Sequence, residues 1–286
     1  MRQVAVVGAA GKMGSWFTGY FAQRGLDVLA YDINQKLLKT PDNVKVEESL
    51  HDCVKDADLV LVCVPPDRTP HAIKECTKNM KEGAIIAEIS SVKNKTFAAL
   101  KKVPSDLRPL CIHPMFGPGA TEKIRAKVLL VPVRNEKTEL KIANEIFENA
   151  TVTVLPNARQ HDKSIAMVLG LTYFTNIVFA KVMSSSGNIS MLKQVSGTTF
   201  GLQSLIAESI LTDEPDLVIA LIQTNEYTKK YINQYLREAE TFAGLVFAKD
   251  NTNVKADMQE IKSRLERWQD LQQSYKRMYY IIENFK

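Results

Sequence analysis

Gln3-Val4-Ala5-Val6-Val7-Gly8-Ala9-Ala10-Gly11-Lys12-Met13-Gly14 decides the fold. The first five of these residues are a short β-rich run, read as a buried strand. The glycines then open a helix whose apolar positions Trp16, Phe17, Tyr20 and Phe21 recur at helical spacing. Glycines at such a turn let backbone N–H groups come close to an anion, and the helix N-terminus adds positive partial charge. The spacing is G-x-x-G-x-x-G, not the commoner G-x-G-x-x-G, so a plain strand–helix turn without nucleotide stays open on these residues alone.

The next strand narrows the choice. Asp27-Val28-Leu29-Ala30-Tyr31-Asp32 ends on a carboxylate about twenty residues beyond the glycines, where it accepts hydrogen bonds from an adenosine ribose diol. A carboxylate there repels a 2′-phosphate, so NAD is expected and NADP disfavoured. The expected cofactor-binding residues are Gly8, Ala10, Gly11, Lys12, Met13, Gly14 and Asp32, joined by Val64 and Pro65. Val64 is the last residue of Leu59-Val60-Leu61-Val62-Cys63-Val64, a continuous apolar run typical of a strand buried on both faces, which Pro65-Pro66 ends.

Strands and helices continue to alternate. Val44-Lys45-Val46 reads as a strand and residues 48–56 as a helix. A helix at 70–80 leads to a strand at 84–89 that ends in Ser90-Ser91-Val92-Lys93. Another helix leads to a strand through Leu110-Cys111-Ile112, and strands at 128–133 and 151–155 flank a helix at 140–147. From 157 onward no strand pattern is present. Residues 160–183 are apolar on nearly every side, as in a buried helix. Ser184-Ser185-Ser186-Gly187-Asn188 breaks it, and helices are expected at 190–212 and 216–247. The last helix carries a heptad-like seam, Met258, Ile261, Leu265, Trp268, Tyr275, Tyr279 and Ile282, suited to packing within its own domain or to dimerisation. The expected fold is α/β: an N-terminal Rossmann-type, doubly wound, mainly parallel sheet at 1–156, followed by an all-α C-terminal domain at 157–286.

Bulk properties agree with a globular chain. It has 286 residues, 45% apolar and 24% charged. No uncharged run approaches the roughly 20 residues that cross a membrane, and the N-terminus enters a strand directly without a leader pattern, so a cytoplasmic protein without a membrane is expected. The four cysteines, Cys53, Cys63, Cys76 and Cys111, lack paired short spacings, so neither a zinc site nor a disulfide framework is expected. A net charge of +5, dispersed among acids, suits a small anionic substrate and gives little support to nucleic-acid binding.

Cys111-Ile112-His113-Pro114-Met115-Phe116-Gly117-Pro118 delivers one of only four histidines from an apolar run into a Pro/Gly-rich turn. Such a turn presents a general base, and it equally suits a strand-end histidine that satisfies local backbone. His51 and His71 fall in helices and read as surface residues. His161, before Asp162 at a helix start, reads as a first-turn residue, with substrate contact as the alternative.

Over nearly its full length the chain resembles the prephenate/arogenate dehydrogenase family, through Gly8 to Gly14, Ser91-Val92-Lys93, His113 to Pro118, and His161-Asp162. The resemblance implies NAD-dependent oxidative decarboxylation of prephenate or arogenate in tyrosine biosynthesis. His113 would accept the hydroxyl proton, and Ser91 would hydrogen-bond the histidine or the substrate hydroxyl. A homodimer through the helical domain is expected. The chain also departs from the pattern. Tyr173 stands where the family carries a second, substrate-binding histidine, and no arginine occurs in Gly197-Thr198-Thr199-Phe200-Gly201-Leu202, where many members place one. A substrate carboxylate needs a cation or several donors. Lys93, Lys163 and Lys193 are candidates, as are hydroxyls of Thr172, Tyr173, Thr198 and Thr199, with Lys93, Tyr173 and Thr172 put forward. Two other functions stay open: a related NAD(P)-dependent dehydrogenase or reductase with another small carboxylated substrate, and a non-catalytic sensor of the NAD redox ratio.

Overall fold

The structure, a computed structural model, describes residues 1–121 and 126–284. It divides into two compact units, Met1–Ile165 and Ala166–Lys286.

The first unit is built on an eight-stranded sheet: β1 (Gln3–Val7), β2 (Asp27–Tyr31), β3 (Val44–Val46), β4 (Leu59–Val62), β5 (Ile85–Glu88), β6 (Arg108–Pro114), β7 (Lys127–Leu130) and β8 (Thr151–Val154), in the order β3-β2-β1-β4-β5-β6-β7-β8. Every neighbouring pair is parallel except β6 and β7. Helices α1 (Lys12–Gln23), α2 (Leu50–Val54), α3 (Thr69–Cys76), α4 (Asn94–Leu100), α5 (Glu136–Ile146) and α6 (Ala158–Ile165) connect or follow the strands. The continuous apolar strands are explained by burial on both faces. Val4 and Val6 of β1 join one core with Phe17, Phe21, Leu59, Leu61 and Ile112. Ala5 and Val7 join the other with Val60, Val62, Ile73 and Ile86.

Local chemistry sets the ends of these elements. β4 stops at Val62, before the run of apolar residues does, although Cys63 N still donates to Val7 O at 2.7 Å. α5 starts four residues earlier than its apolar pattern. Asn135 accepts from Thr138 N, and the Glu139 carboxylate takes the N–H groups of Val133, Arg134 and Asn135 at 2.7–2.8 Å.

The second unit is helical among the described residues. A π-helical segment, Ala166–Leu171, leads into α7 (Thr172–Ser184); α8 (Ile189–Gln194), α9 (Thr198–Ile210), α10 (Pro215–Ile219), a second π-helical segment (Ala220–Thr224), α11 (Thr228–Phe247), α12 (Asn251–Glu266) and α13 (Leu271–Glu283) follow. Three expected helices are therefore shorter than their apolar periodicity. The 190–212 run divides before Gly197, and the 216–247 run divides at extended Asn225. The terminal seam is interrupted as well, because Asp270 accepts from Gln272 N and starts a new helix. Trp268, in that break, is 89% exposed and belongs to no continuous heptad stripe.

Contrary to the expectation that no run approaches membrane-spanning length, the stretch Ala158–Ser184 is long and apolar enough by composition to cross a membrane, with 28% of its most apolar window buried. Within the helical unit its Asn176 is buried, accepting from Gln203 Nε2 at 2.7 Å and donating to Thr172 O at 2.9 Å. A satisfied buried amide of this kind is what a helix packed among other protein helices carries.

Candidate functional site

The carboxyl ends of the parallel strands bring the glycine loop, Asp32, the Ser90–Lys93 turn and His113 to one edge of the sheet. Strand order reverses between β1 and β4, and in such sheets the crevice beyond that reversal is where ligands bind. Gly8 lies there with φ +88°, a left-handed conformation, and a Cβ on it would fall 2.7 Å from Cys63 O. A Cβ on Gly14 would fall 2.0 Å from Gly8 O. Both glycines are therefore required for the turn to close, and they hold the start of α1 against the strand ends. Gly11 caps α1 without a side-chain hydrogen bond, and no acidic residue occupies the first turn. The helix thus offers uncompensated positive partial charge beside a backbone with no side chain in the way, which fits a pyrophosphate.

Asp32 closes the other side of this cradle. Its Oδ2 accepts from Ala10 N at 3.0 Å and its Oδ1 from Asn34 N at 2.8 Å. Each oxygen keeps a further lone pair for a ribose hydroxyl. Lys12 is exposed and Met13 half-buried at the start of α1, while half-buried Val64 and exposed Pro65 follow β4. The cofactor residues expected from sequence therefore lie at or just after the carboxyl ends of the neighbouring strands β1, β2 and β4.

His113 sits inside β6, opposite Leu129 of β7, and is buried. Its Nδ1 is 3.0 Å from His161 Nε2. His161, fully buried on α6, places its Nδ1 2.8 Å from Asp162 Oδ1. The same Oδ1 accepts from Lys93 N at 2.8 Å, and Oδ2 accepts from Asn94 N at 3.0 Å. Burial pushes the His113 pKa well below its ordinary value, and the neighbouring His161 and Lys93 push the same way. His161 is lowered too, again mainly by burial, against an opposing pull from Asp162. Both rings are neutral near pH 7.

Behind this pair lies a second network. Lys93 Nζ donates to Glu88 Oε1 at 2.6 Å and to Ile112 O at 2.5 Å, while Ser90 N donates to Glu88 Oε2 at 2.9 Å. The thiol of Cys111 donates to Glu88 Oε1 at 3.1 Å, and burial holds its pKa well above the usual thiol value.

Several expectations change here. Lys93 was expected to meet a substrate carboxylate; it has no exposed surface, and its ammonium is neutralised by Glu88. The half-buried Ser91 makes no side-chain hydrogen bond to His113, whose partner is His161, so of its two expected contacts only the one to a substrate hydroxyl stays open; Ser90 is the serine that is tied down, to Thr69 Oγ1 at 3.0 Å. Tyr173 and Thr172 belong to the helical unit. The Tyr173 hydroxyl donates to Asp213 Oδ2 at 2.6 Å, so its proton is not on offer to an anion, and the Asp213 carboxylate would repel a second one. Exposed Thr172 accepts from Asn176 and Thr175 through its carbonyl. His51 and His71 are exposed, as expected. His161 and Glu88 are the residues whose part was missed. Glu88 had a signal in the sequence: a lone acid ending the apolar run Ala84-Ile85-Ile86-Ala87, where a buried charge demands a partner.

The fold and this edge define a dinucleotide-fold protein with a buried imidazole pair beside its nucleotide crevice. The family model described as "Prephenate dehydrogenase, nucleotide-binding domain" matches residues 20–156, and "Prephenate dehydrogenase, dimerization domain" matches residues 157–260. The chain belongs to the prephenate dehydrogenase family. It is 25% identical, over 90% of its length, to "Probable arogenate/prephenate dehydrogenase" of Methanocaldococcus jannaschii and 22% identical, over 85%, to the "T-protein" of Haemophilus influenzae. The chain spans about three-fifths of the length of the curated relatives it matches. Among solved structures, the prephenate dehydrogenase from A. aeolicus in complex with hydroxyphenyl propionate and NAD+ superposes with a TM-score of 0.72 at 20% identity, covering 94% of this chain and 99% of that one. That likeness shows the fold.

Proposed function

We propose that this chain is an NAD-dependent dehydrogenase that oxidatively decarboxylates prephenate or arogenate, with His113 as the base. The observation that carries the reading is the placement of His113: its imidazole is kept neutral chiefly by burial, it is hydrogen-bonded to His161, and it lies on the same sheet edge as the glycine cradle. Gly8, Ala10, Gly11, Lys12, Met13 and Gly14 would hold the pyrophosphate, Asp32 the adenosine ribose, and Val64 with Pro65 the crevice wall beside it. NAD+ bound there supplies the hydride acceptor. His113 takes the proton of the ring hydroxyl as that carbon becomes a carbonyl. Breakage of the carbon–carboxylate bond then releases carbon dioxide and leaves the ring aromatic. The site therefore has to orient the substrate and accept one proton, since aromatisation supplies the driving force.

The division of labour we propose gives nucleotide binding to 1–156 and substrate and homodimer contacts to 157–286. His161 and Asp162 lie past that boundary in sequence and within the compact unit that holds His113. The dimerization-domain match supports the homodimer.

The test is NADH formation by the purified protein with NAD+ and either prephenate or arogenate. Turnover of at least one of the two is expected; NAD+ binding without turnover of either would overturn the dehydrogenase reading in favour of a redox sensor. His113→Asn should keep NAD+ binding and lower kcat by about two to four orders of magnitude.

A further inference from the structure

With both rings neutral, the chain of groups behind His113 has one proton arrangement that satisfies all of them. An ionised Asp162 only accepts hydrogen bonds. Its Oδ1 faces His161 Nδ1 at 2.8 Å, so that nitrogen carries a proton. The neutral His161 ring then has a bare Nε2, which only accepts. His113 Nδ1, 3.0 Å away, must donate to it. A neutral His113 protonated at Nδ1 has its lone pair at Nε2.

We infer that His161 and Asp162 are positioning residues that lock His113 in the tautomer whose Nε2 accepts the substrate proton. The inference rests on His113 being the base proposed above and assigns the two residues that make it one. In the opposite tautomer Nε2 carries a hydrogen and cannot accept another. When the proton arrives at Nε2, His113 keeps its Nδ1–H on His161, so no hydrogen bond behind it rearranges.

The rest of the network holds this arrangement in place. The Asp162 carboxylate is fixed by the N–H groups of Lys93 and Asn94, so it cannot turn away from His161. The charges nearest the rings are Asp162, Glu88 and Lys93. Glu88 is spent on Lys93, Ser90 N and the Cys111 thiol, leaving Asp162 as the carboxylate that addresses the imidazoles. The buried ammonium of Lys93 disfavours a second positive charge beside it, which keeps His161 neutral and therefore an acceptor.

The direct test is the nitrogen NMR spectrum of protein labelled with ¹⁵N-histidine, in the presence of NAD+ near pH 7. The expected spectrum shows His113 protonated at Nδ1 and bare at Nε2; a protonated Nε2 overturns the inference whatever the variants do. Two variants supply the kinetic counterpart. His161→Gln can offer a carbonyl oxygen to the His113 Nδ1–H, so the tautomer persists and kcat stays within about tenfold of the parent. His161→Leu leaves a buried N–H with no acceptor, which drives the proton to Nε2, and kcat falls by about a hundredfold or more while the KM for NAD+ is unchanged. Equal turnover in the Gln and Leu variants would overturn the inference, as a side chain of purely structural importance would not separate them. If the Leu variant does not fold, the spectrum of the unmutated protein decides. His113→Asn separates the two readings. If it is inactive while His161→Leu is fully active, the base stands and the lock falls; if it is active, both fall.

Discussion

Lys93 and Glu88 form an ion pair sealed from solvent: Nζ lies 2.6 Å from Oε1, and both side chains are 0% exposed. The pair ties the turn after β5 to the backbone of β6 at Ile112, one residue before His113. Removing one partner strands the other as a bare buried charge, which costs about 3–5 kcal/mol, whereas removing both charges together is far milder. Lys93→Met should therefore be strongly destabilised in urea denaturation, and Glu88→Gln with Lys93→Met should regain most of the loss, because the amide still accepts from Ser90 N. A Lys93→Met protein as stable as the parent would show that Lys93 is free for another partner.

The two buried imidazoles give stability a pH dependence of definite sign. Both have folded pKa values below the unfolded value of about 6.5, chiefly through burial. Asp162, Glu88, Lys93 and Cys111 are the other titratable groups in the networks around them. Well above pH 6.5 both rings are neutral folded or unfolded and contribute no slope. As pH falls below 6.5 the unfolded chain takes up protons that the folded chain refuses, so stability declines until the folded values are reached. Each ring adds up to about 1.4 kcal/mol per pH unit in that window. Denaturation at pH 7.5, 6.5 and 5.5 should show a shallow upper interval and a steeper lower one, and His113→Asn should reduce the slope. The acid limb of kcat/KM should likewise lie below pH 6.5.

Much of this architecture was legible in the sequence because its signals are local. The strands of a doubly wound sheet are short apolar runs, and the glycine loop and Asp32 sit at fixed offsets from them. Helix lengths in the second unit were less legible, since apolar periodicity continues across breaks set by single polar residues such as Asp270 and Asn225. The site divides in the same way. His113 and the cofactor residues carry sequence motifs, but their supporting partners do not. His161 is 48 positions from His113, and Asp162 is 69 positions from Lys93, so both contacts exist only through the tertiary fold. Lys93 misled because its position near the site suggested a ligand for an anion, while Glu88 had already claimed the charge.

Two glycines in one helix should respond to alanine with opposite signs. Gly14→Ala places a Cβ 2.0 Å from Gly8 O, backbone against backbone, so α1 must shift and the crevice opens; melting temperature and NAD+ affinity should both fall. Gly19, in the interior of α1, has nothing within 4 Å of its virtual Cβ. Gly19→Ala should stabilise the protein by up to about 1 kcal/mol through helix propensity. Thermal melting with and without NAD+ checks both, and an indifferent Gly14→Ala would remove the close-approach argument.

Asp32 offers the sharpest test of cofactor choice, provided its two jobs are separated. Its carboxylate ties down the glycine loop through Ala10 N as well as facing the crevice. Asp32→Ala loses both, along with charged hydrogen bonds of about 1.5–3 kcal/mol, so the KM for NAD+ should rise by roughly ten- to a hundredfold. Asp32→Asn keeps one oxygen to accept from Ala10 N and removes only the negative charge. That variant should lose less NAD+ affinity and yet narrow the preference over NADP+ about as much, because the repulsion of a 2′-phosphate comes from the charge, which both variants lack. The ratio of kcat/KM for the two cofactors, measured in all three proteins, distinguishes charge from loop support. If the unmutated protein used NAD+ and NADP+ equally, Asp32 would not be the residue that reads the ribose.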